Sequence, residues 1–227
     1  MLGYMPNHAI QPQTEEAFAF YKDAILGPVV AKRAAARDYG FTRDSVSSKD
    51  WEIFDAILLD RQSSGKLHGS DLQGVEVKSA GFKSATSGSS FEYQYHRNHG
   101  LEKLLEDAHI HHVFVSYSPD YTNVIVRLLR PDQVHDTIRS WRKRYIGSYS
   151  TSSKGGRCRP GLTYASVVAR GTVLLEIRDG QMVQANEDLL ADLLAEPAAC
   201  TNPGCLADQG KKGIANLSQA EIAAGLA

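Results

Sequence analysis

An α/β (α+β) fold whose core runs αβββαβ is what this 227-residue chain predicts, on three observations. Helix and strand periodicities alternate in that order between residues 48 and 117. Gln73-Gly74 reads as a two-residue turn between Leu72 and Val75, since glycine tolerates the positive φ that hairpin turns need. Phe91-Glu92-Tyr93-Gln94-Tyr95-His96 alternates aromatic with polar residues, the pattern of a half-buried strand.

Residues 14–39 predict a helix in two parts. Thr14-Glu15-Glu16 caps its start, Gly27-Pro28 breaks it and Gly40 stops it. Residues 48–60 predict an amphipathic helix with Trp51, Phe54, Ile57 and Leu58 on one stripe. Strands are expected at about 66–72 and 75–80, with a Ser/Gly/Lys-rich loop from Gly81 to Ser90 and a third strand over 91–96. A helix from Gly100 to Ala108 places Leu101, Leu104 and Leu105 together, and 112–117 and 123–129 read as buried strands. Pro131 to Tyr145 predicts a basic helix with Ile138 and Trp141 inward, followed by a cationic loop over 146–160. Strands at 162–169 and 172–178, then an acidic helix from 185 to 195, complete the ordered part. Residues 1–195 are expected to form one domain, with a core over 48–130 and a basic region over 131–178. The Ala/Gly-rich stretch 196–227 is expected to be loosely packed.

Composition excludes several classes. Hydrophobic residues make up 42% and charged residues 22%, ordinary for a globular chain and unlike a disordered one. No apolar run approaches the ~20 residues of a membrane span, and Met1 to Gln13 lacks a signal-peptide pattern, so a cytoplasmic protein is expected. Cys158, Cys200 and Cys205 make no disulfide framework, and Cys200-x4-Cys205 lacks a second ligand pair for zinc. The net charge of −1 is unevenly distributed. Residues 127–159 hold nine Lys/Arg against two Asp, whereas 179–227 hold seven Asp/Glu against two Lys. Such asymmetry suits a basic binding face, because nucleic-acid binding needs phosphate neutralisation only where the polymer lies.

The densest chemistry lies at Asp71-Leu72-Gln73-Gly74-Val75-Glu76-Val77-Lys78. Across the Gln73-Gly74 turn, Asp71 falls opposite Glu76, and Lys78 shares their face while Leu72, Val75 and Val77 point the other way. Two facing carboxylates repel, so removing either is expected to stabilise the metal-free chain. A divalent cation with a preference for hard oxygen ligands, Mg2+, would remove that penalty.

Asp71 followed by Glu76-x-Lys78 resembles the PD-(D/E)xK nuclease superfamily, which includes type II restriction endonucleases and mismatch-repair nickases. The short gap between the acids is similar to the nickase branch, and Ser70 stands where a proline is often found. The resemblance covers about residues 48–117. It implies a restriction-endonuclease-like core, a mixed central sheet flanked by helices, and Mg2+-dependent cleavage of double-stranded DNA at a specific sequence by a homodimer. Asp71, Glu76 and Lys78 would be catalytic, with Asp71, Glu76 and the carbonyl of Val77 holding the metal. A further acid from the preceding helix is frequent in the family, and Glu52, Asp55 and Asp60 are the options here.

Lys83, Gln94, His96, Arg142, Lys143, Lys154, Arg157 and Arg159 are the expected DNA contacts, in the strand after the acids and in the basic region. His109, His111 and His112 lack neighbouring acidic or Cys ligands and read as a helix-to-strand connection. Two other readings stand beside restriction: a repair nickase or junction resolvase with the same chemistry, and a non-catalytic DNA-binding protein whose acids form only salt bridges.

Overall fold

The computed structural model describes residues 12–31, 48–65, 69–84, 87–97, 99–150 and 158–195. The chain is a mixed α/β structure built on a six-stranded mixed sheet flanked by helices. The first helix, α1 (Pro12–Phe20), runs on through a π-helical stretch (Tyr21–Leu26) into helical residues 27–31. Gly27-Pro28 therefore does not break it. The Gly27 N–H bonds to the Lys22 carbonyl, five residues back, and this widened turn accommodates the missing N–H of Pro28. Next come α2 (Ser48–Leu58), β1 (Val75–Ser84), β2 (Ser87–Gly88), β3 (Phe91–Glu92), α3 (Gly100–Asp107), β4 (His111–Tyr117) and β5 (Val124–Leu129). Then follow α4 (Pro131–Ser150), β6 (Gly161–Leu162), α5 (Tyr164–Arg170), β7 (Thr172–Arg178), β8 (Gln181–Ala185) and α6 (Glu187–Ala195).

The sheet order is β2-β1-β4-β5-β7-β8. Only β1 and β4 are parallel, with Val77 beside Val113; the other neighbours are antiparallel. Strand alternation sends Val75, Val77, Val113 and Val115 to one face, where Trp51, Phe54 and Leu58 of α2 and Tyr21 and Ile25 pack. The other face carries Ala80 and Phe114 and packs on Leu101 and Leu104 of α3 and Ile138 and Trp141 of α4. The helix stripes at 48–58, 100–107 and 131–150 thus bury as their periodicity requires.

Five further expectations change. Helix α4 runs on to Ser150, five residues into the stretch expected as a cationic loop. The arm before the turn is not a strand: residues 66–68 lie outside those described, and Leu72 alone bridges, to Val75 on one side and to Ser63 on the other. The loop placed from residue 81 begins later, because β1 continues to Ser84 and pairs with β2. Gly88 is required there, since a Cβ would meet the Tyr164 ring at 2.6 Å. The strand over 91–96 shortens to β3, although its alternation holds: Phe91, Tyr93 and Tyr95 are buried while Glu92, Gln94 and His96 are exposed. The strand at 162–169 is instead the short β6 and helix α5. Thr163 caps that helix by accepting from the Ser166 N–H, and Tyr164 and Val167 bury at helical spacing. The tail 196–227, with Cys200 and Cys205, lies outside the described residues. Among the described residues no helix is long and apolar enough to cross a membrane.

Candidate active site

The Gln73-Gly74 turn closes as its residues require. Leu72 and Val75 exchange both backbone hydrogen bonds, at 3.0 and 3.2 Å, with Gly74 at φ 71°. The partner arm then departs, so among the described residues no strand covers the edge of β1 at Val77 that faces away from β4. The vacated positions serve the site instead. Asp71 Oδ2 accepts from the Val77 N–H at 3.0 Å, and the Val77 carbonyl accepts from Lys78 Nζ at 3.1 Å. Asp71 is thereby aimed along the opened edge of β1.

Three oxygens converge on the Lys78 ammonium: Glu76 Oε1, in direct contact, the Val77 carbonyl at 3.1 Å and Asp71 Oδ2 at 3.6 Å. These are the atoms expected from the sequence to hold a cation. Among the described residues no three His, Cys, Asp or Glu side chains gather into a metal-holding group. The donor set here is two carboxylates and a carbonyl, hard oxygens around a point already occupied by positive charge. That chemistry fits Mg2+.

Lys103, which sequence reasoning missed, completes the arrangement. From α3 it donates to Glu76 Oε2 at 2.8 Å, to Asp107 Oδ1 at 3.2 Å and to the Gly69 carbonyl at 3.1 Å. Asp107 also accepts from Tyr95 Oη at 2.9 Å. His112 is wedged between the Asp107 carbonyl (2.6 Å) and Tyr93 Oη (2.7 Å). Of the three neighbouring histidines, His112 is thus core scaffolding behind the site. No local signal links Lys103 to Glu76, 27 residues earlier; only the i,i+4 pair with Asp107 was visible.

Electrostatics separates the two acids. Burial opposes ionisation of Glu76, which is only 1% exposed, but the two ammonium groups outweigh it and hold the carboxyl below its ordinary range. The ion pairs with Lys78 and Lys103 argue against the expected gain from removing Glu76, which is clamped between cations rather than merely facing Asp71. Burial and the Glu76 charge raise Asp71, against the pull of Lys78. Burial would lower Lys78, yet Glu76 and Asp71 keep it raised and charged. Burial and Glu76 push Asp107 up to about 7.

The site opens into a cleft of about 370 Å³ lined by Asp71, Glu76, Lys78, Gln94, His96 and Lys103, among others. Glu52 of α2 also lines it. Asp55 lies one turn on, fully buried with neither carboxylate oxygen hydrogen-bonded, and burial and the Asp71 charge raise it well above the ordinary range. Asp60 is exposed just past the helix end, at φ 45°, and is not among the lining residues.

The expected DNA contacts divide. Gln94 and His96 are at the cleft. Arg159 is beside it: the pairs Phe91–Leu162, Glu92–Gly161 and Tyr95–Cys158 set a register that places Gln94 opposite Arg159, both exposed. Arg144 donates to the Arg159 carbonyl at 3.1 Å, tying α4 to this ribbon. Lys143 is exposed and Arg142 half-buried on α4, away from the cleft lining. Lys83 is not brought to the site. It is exposed five residues beyond Lys78 on β1, roughly 16 Å along a strand and on the opposite face by alternation. Lys154 and Arg157 lie outside the described residues. No known protein-family model matches the chain, and no curated protein matches it.

Proposed function

We propose that this chain is a Mg2+-dependent endonuclease that hydrolyses phosphodiester bonds of double-stranded DNA at a specific sequence, in the manner of type II restriction enzymes. The observation that carries the reading is the convergence of Asp71, Glu76 and the Val77 carbonyl on a single cationic point in an open cleft. The α2-β1-α3-β4 succession around the acids is in keeping with a restriction-endonuclease-like core, although Glu76 and Lys78 lie on the first strand after the helix and not on the second as expected.

Asp71, Glu76 and the Val77 carbonyl would hold the metal. A bound Mg2+ supplies polarisation of the scissile phosphate and a bound water of lowered pKa. Lys78, at the cleft wall, would neutralise charge that develops on the phosphate. Lys103 keeps Glu76 oriented from behind, by the oxygen that Lys78 does not touch. Gln94 and His96 would meet the sugar-phosphate backbone or base edges, with Arg159 alongside. These residues provide one such site per chain, so cutting both strands at one locus implies a homodimer, matching two-fold DNA symmetry. A chain acting singly would nick, the repair-type alternative.

A plasmid digest tests the reading. Discrete linear fragments with Mg2+, and none with EDTA, support it. Nicked circles alone shift it to the nickase alternative, and an unchanged plasmid leaves only the non-catalytic reading.

A further inference from the structure

We propose that the Lys78 ammonium is a tethered placeholder for the divalent cation, and that metal must displace it in order to bind. The inference rests on the nuclease reading and concerns the loading of that same site. Lys78 Nζ touches Glu76 Oε1 and lies 3.1 Å from the Val77 carbonyl and 3.6 Å from Asp71 Oδ2. While the ammonium stays, it occupies the point on which these three oxygens converge. Two cations cannot share the point, since like charges a few ångströms apart repel strongly inside a protein.

Lys78 is able to leave. Its side chain is 17% exposed, unbranched and at the cleft wall, with Nζ already 5.1 Å over the Tyr93 ring. A substrate phosphate in the cleft would offer the displaced ammonium an anion. Lys103 differs in kind. Two of its three acceptors, the Gly69 carbonyl and Asp107 Oδ1, lie outside the donor set and anchor it in place. One lysine therefore holds Glu76 permanently by one oxygen, while the other occupies the second oxygen until metal arrives.

Mn2+ binding to the full chain without DNA, read from the electron paramagnetic resonance of free Mn2+, tests this. Lys78→Met should bind Mn2+ tighter by on the order of tenfold or more, the effect of a charge that shifts a neighbour's pKa by a unit. Lys103→Met should not tighten binding. Equal or weaker binding by Lys78→Met, with a wild type that binds Mn2+ and cuts DNA, overturns the placeholder and leaves the nuclease reading intact. No Mn2+ binding by either, together with an uncut plasmid, ends both. Should Lys78→Met fail to fold, wild-type Lys78 can be followed by acylation and peptide mass. Saturating Mg2+ should raise its labelling relative to the other lysines, and unchanged labelling overturns the proposal.

Discussion

Lys103 Nζ lies 2.8 Å from Glu76 Oε2, and the same ammonium reaches Asp107 Oδ1 at 3.2 Å, so one lysine bridges two fully buried acids behind the cleft. Its removal leaves Glu76 and Asp107 facing each other without a cation between them. Lys103→Met should therefore lower stability by about 3–5 kcal/mol, as breaking a buried ion pair does. Asp107→Asn in the same chain should recover part of the loss. A double-mutant cycle in urea measures the coupling, and strictly additive effects would show that the bridge is energetically idle.

Glu76→Gln should abolish cleavage and also destabilise the metal-free fold, because Lys78 and Lys103 lose their shared anion. Asp71→Asn should abolish cleavage with a smaller stability change, since Asp71 is half-buried and repelled by Glu76. Thermal melts of the two variants order them: a Glu76→Gln melt above wild type would mean that repulsion, not the lysine clamp, dominates.

Asp107 should leave a mark on stability against pH. Its folded carboxyl titrates at about 7, above the ordinary range, so the native state holds the proton more tightly than the unfolded chain. Its contribution is full below about pH 4 and is lost as pH rises towards 7. His112, lowered by burial to about 4, acts oppositely, adding stability as pH rises from 4 towards its ordinary value. Comparing Asp107→Asn with wild type cancels the His112 part. The variant should gain stability relative to wild type between pH 4 and 7, and a constant difference over that window would contradict the assignment.

Arg159 stands opposite Gln94 in the ribbon beside the cleft. Arg159→Ala should weaken DNA binding and reduce the salt slope by about one unit, the signature of one lost phosphate contact. Gln94→Ala should instead relax sequence preference if it reads base edges. Fluorescence anisotropy across a salt series separates the two. An unchanged slope for Arg159→Ala removes it from the phosphate contacts.

Much of the sheet was legible because its signals are local. Short, largely apolar runs rich in β-branched and aromatic residues mark the buried strands expected at 112–117 and 123–129, and Gln73-Gly74 marks the turn that brings Asp71 to β1. The acids and Lys78 were legible for the same reason, since the eight residues 71–78 of turn and strand set their geometry. Lys103 was not, because its partner is met only through the crossover from β1 to α3. Residues 162–169 mislead by their β-branched content, while Thr163 as a helix cap decides the outcome. The β7–β8 hairpin did carry a signal, Asp179-Gly180 with φ 51° and 73°, a pairing that turns two strands tightly. Its short strand Gln181–Ala185 runs Gln-Met-Val-Gln-Ala, without the strict apolar–polar alternation that would draw attention to it, and only Met182 and Ala185 pack partly against the core.

The most direct measurement is Mg2+-dependent conversion of supercoiled plasmid by wild type and by Glu76→Gln, each first shown by circular dichroism to be folded. The account predicts discrete linear fragments from wild type with Mg2+, none with EDTA, and none from Glu76→Gln under either condition. Cleavage by Glu76→Gln at the wild-type rate, or a folded wild type that leaves the plasmid intact with Mg2+, would contradict it.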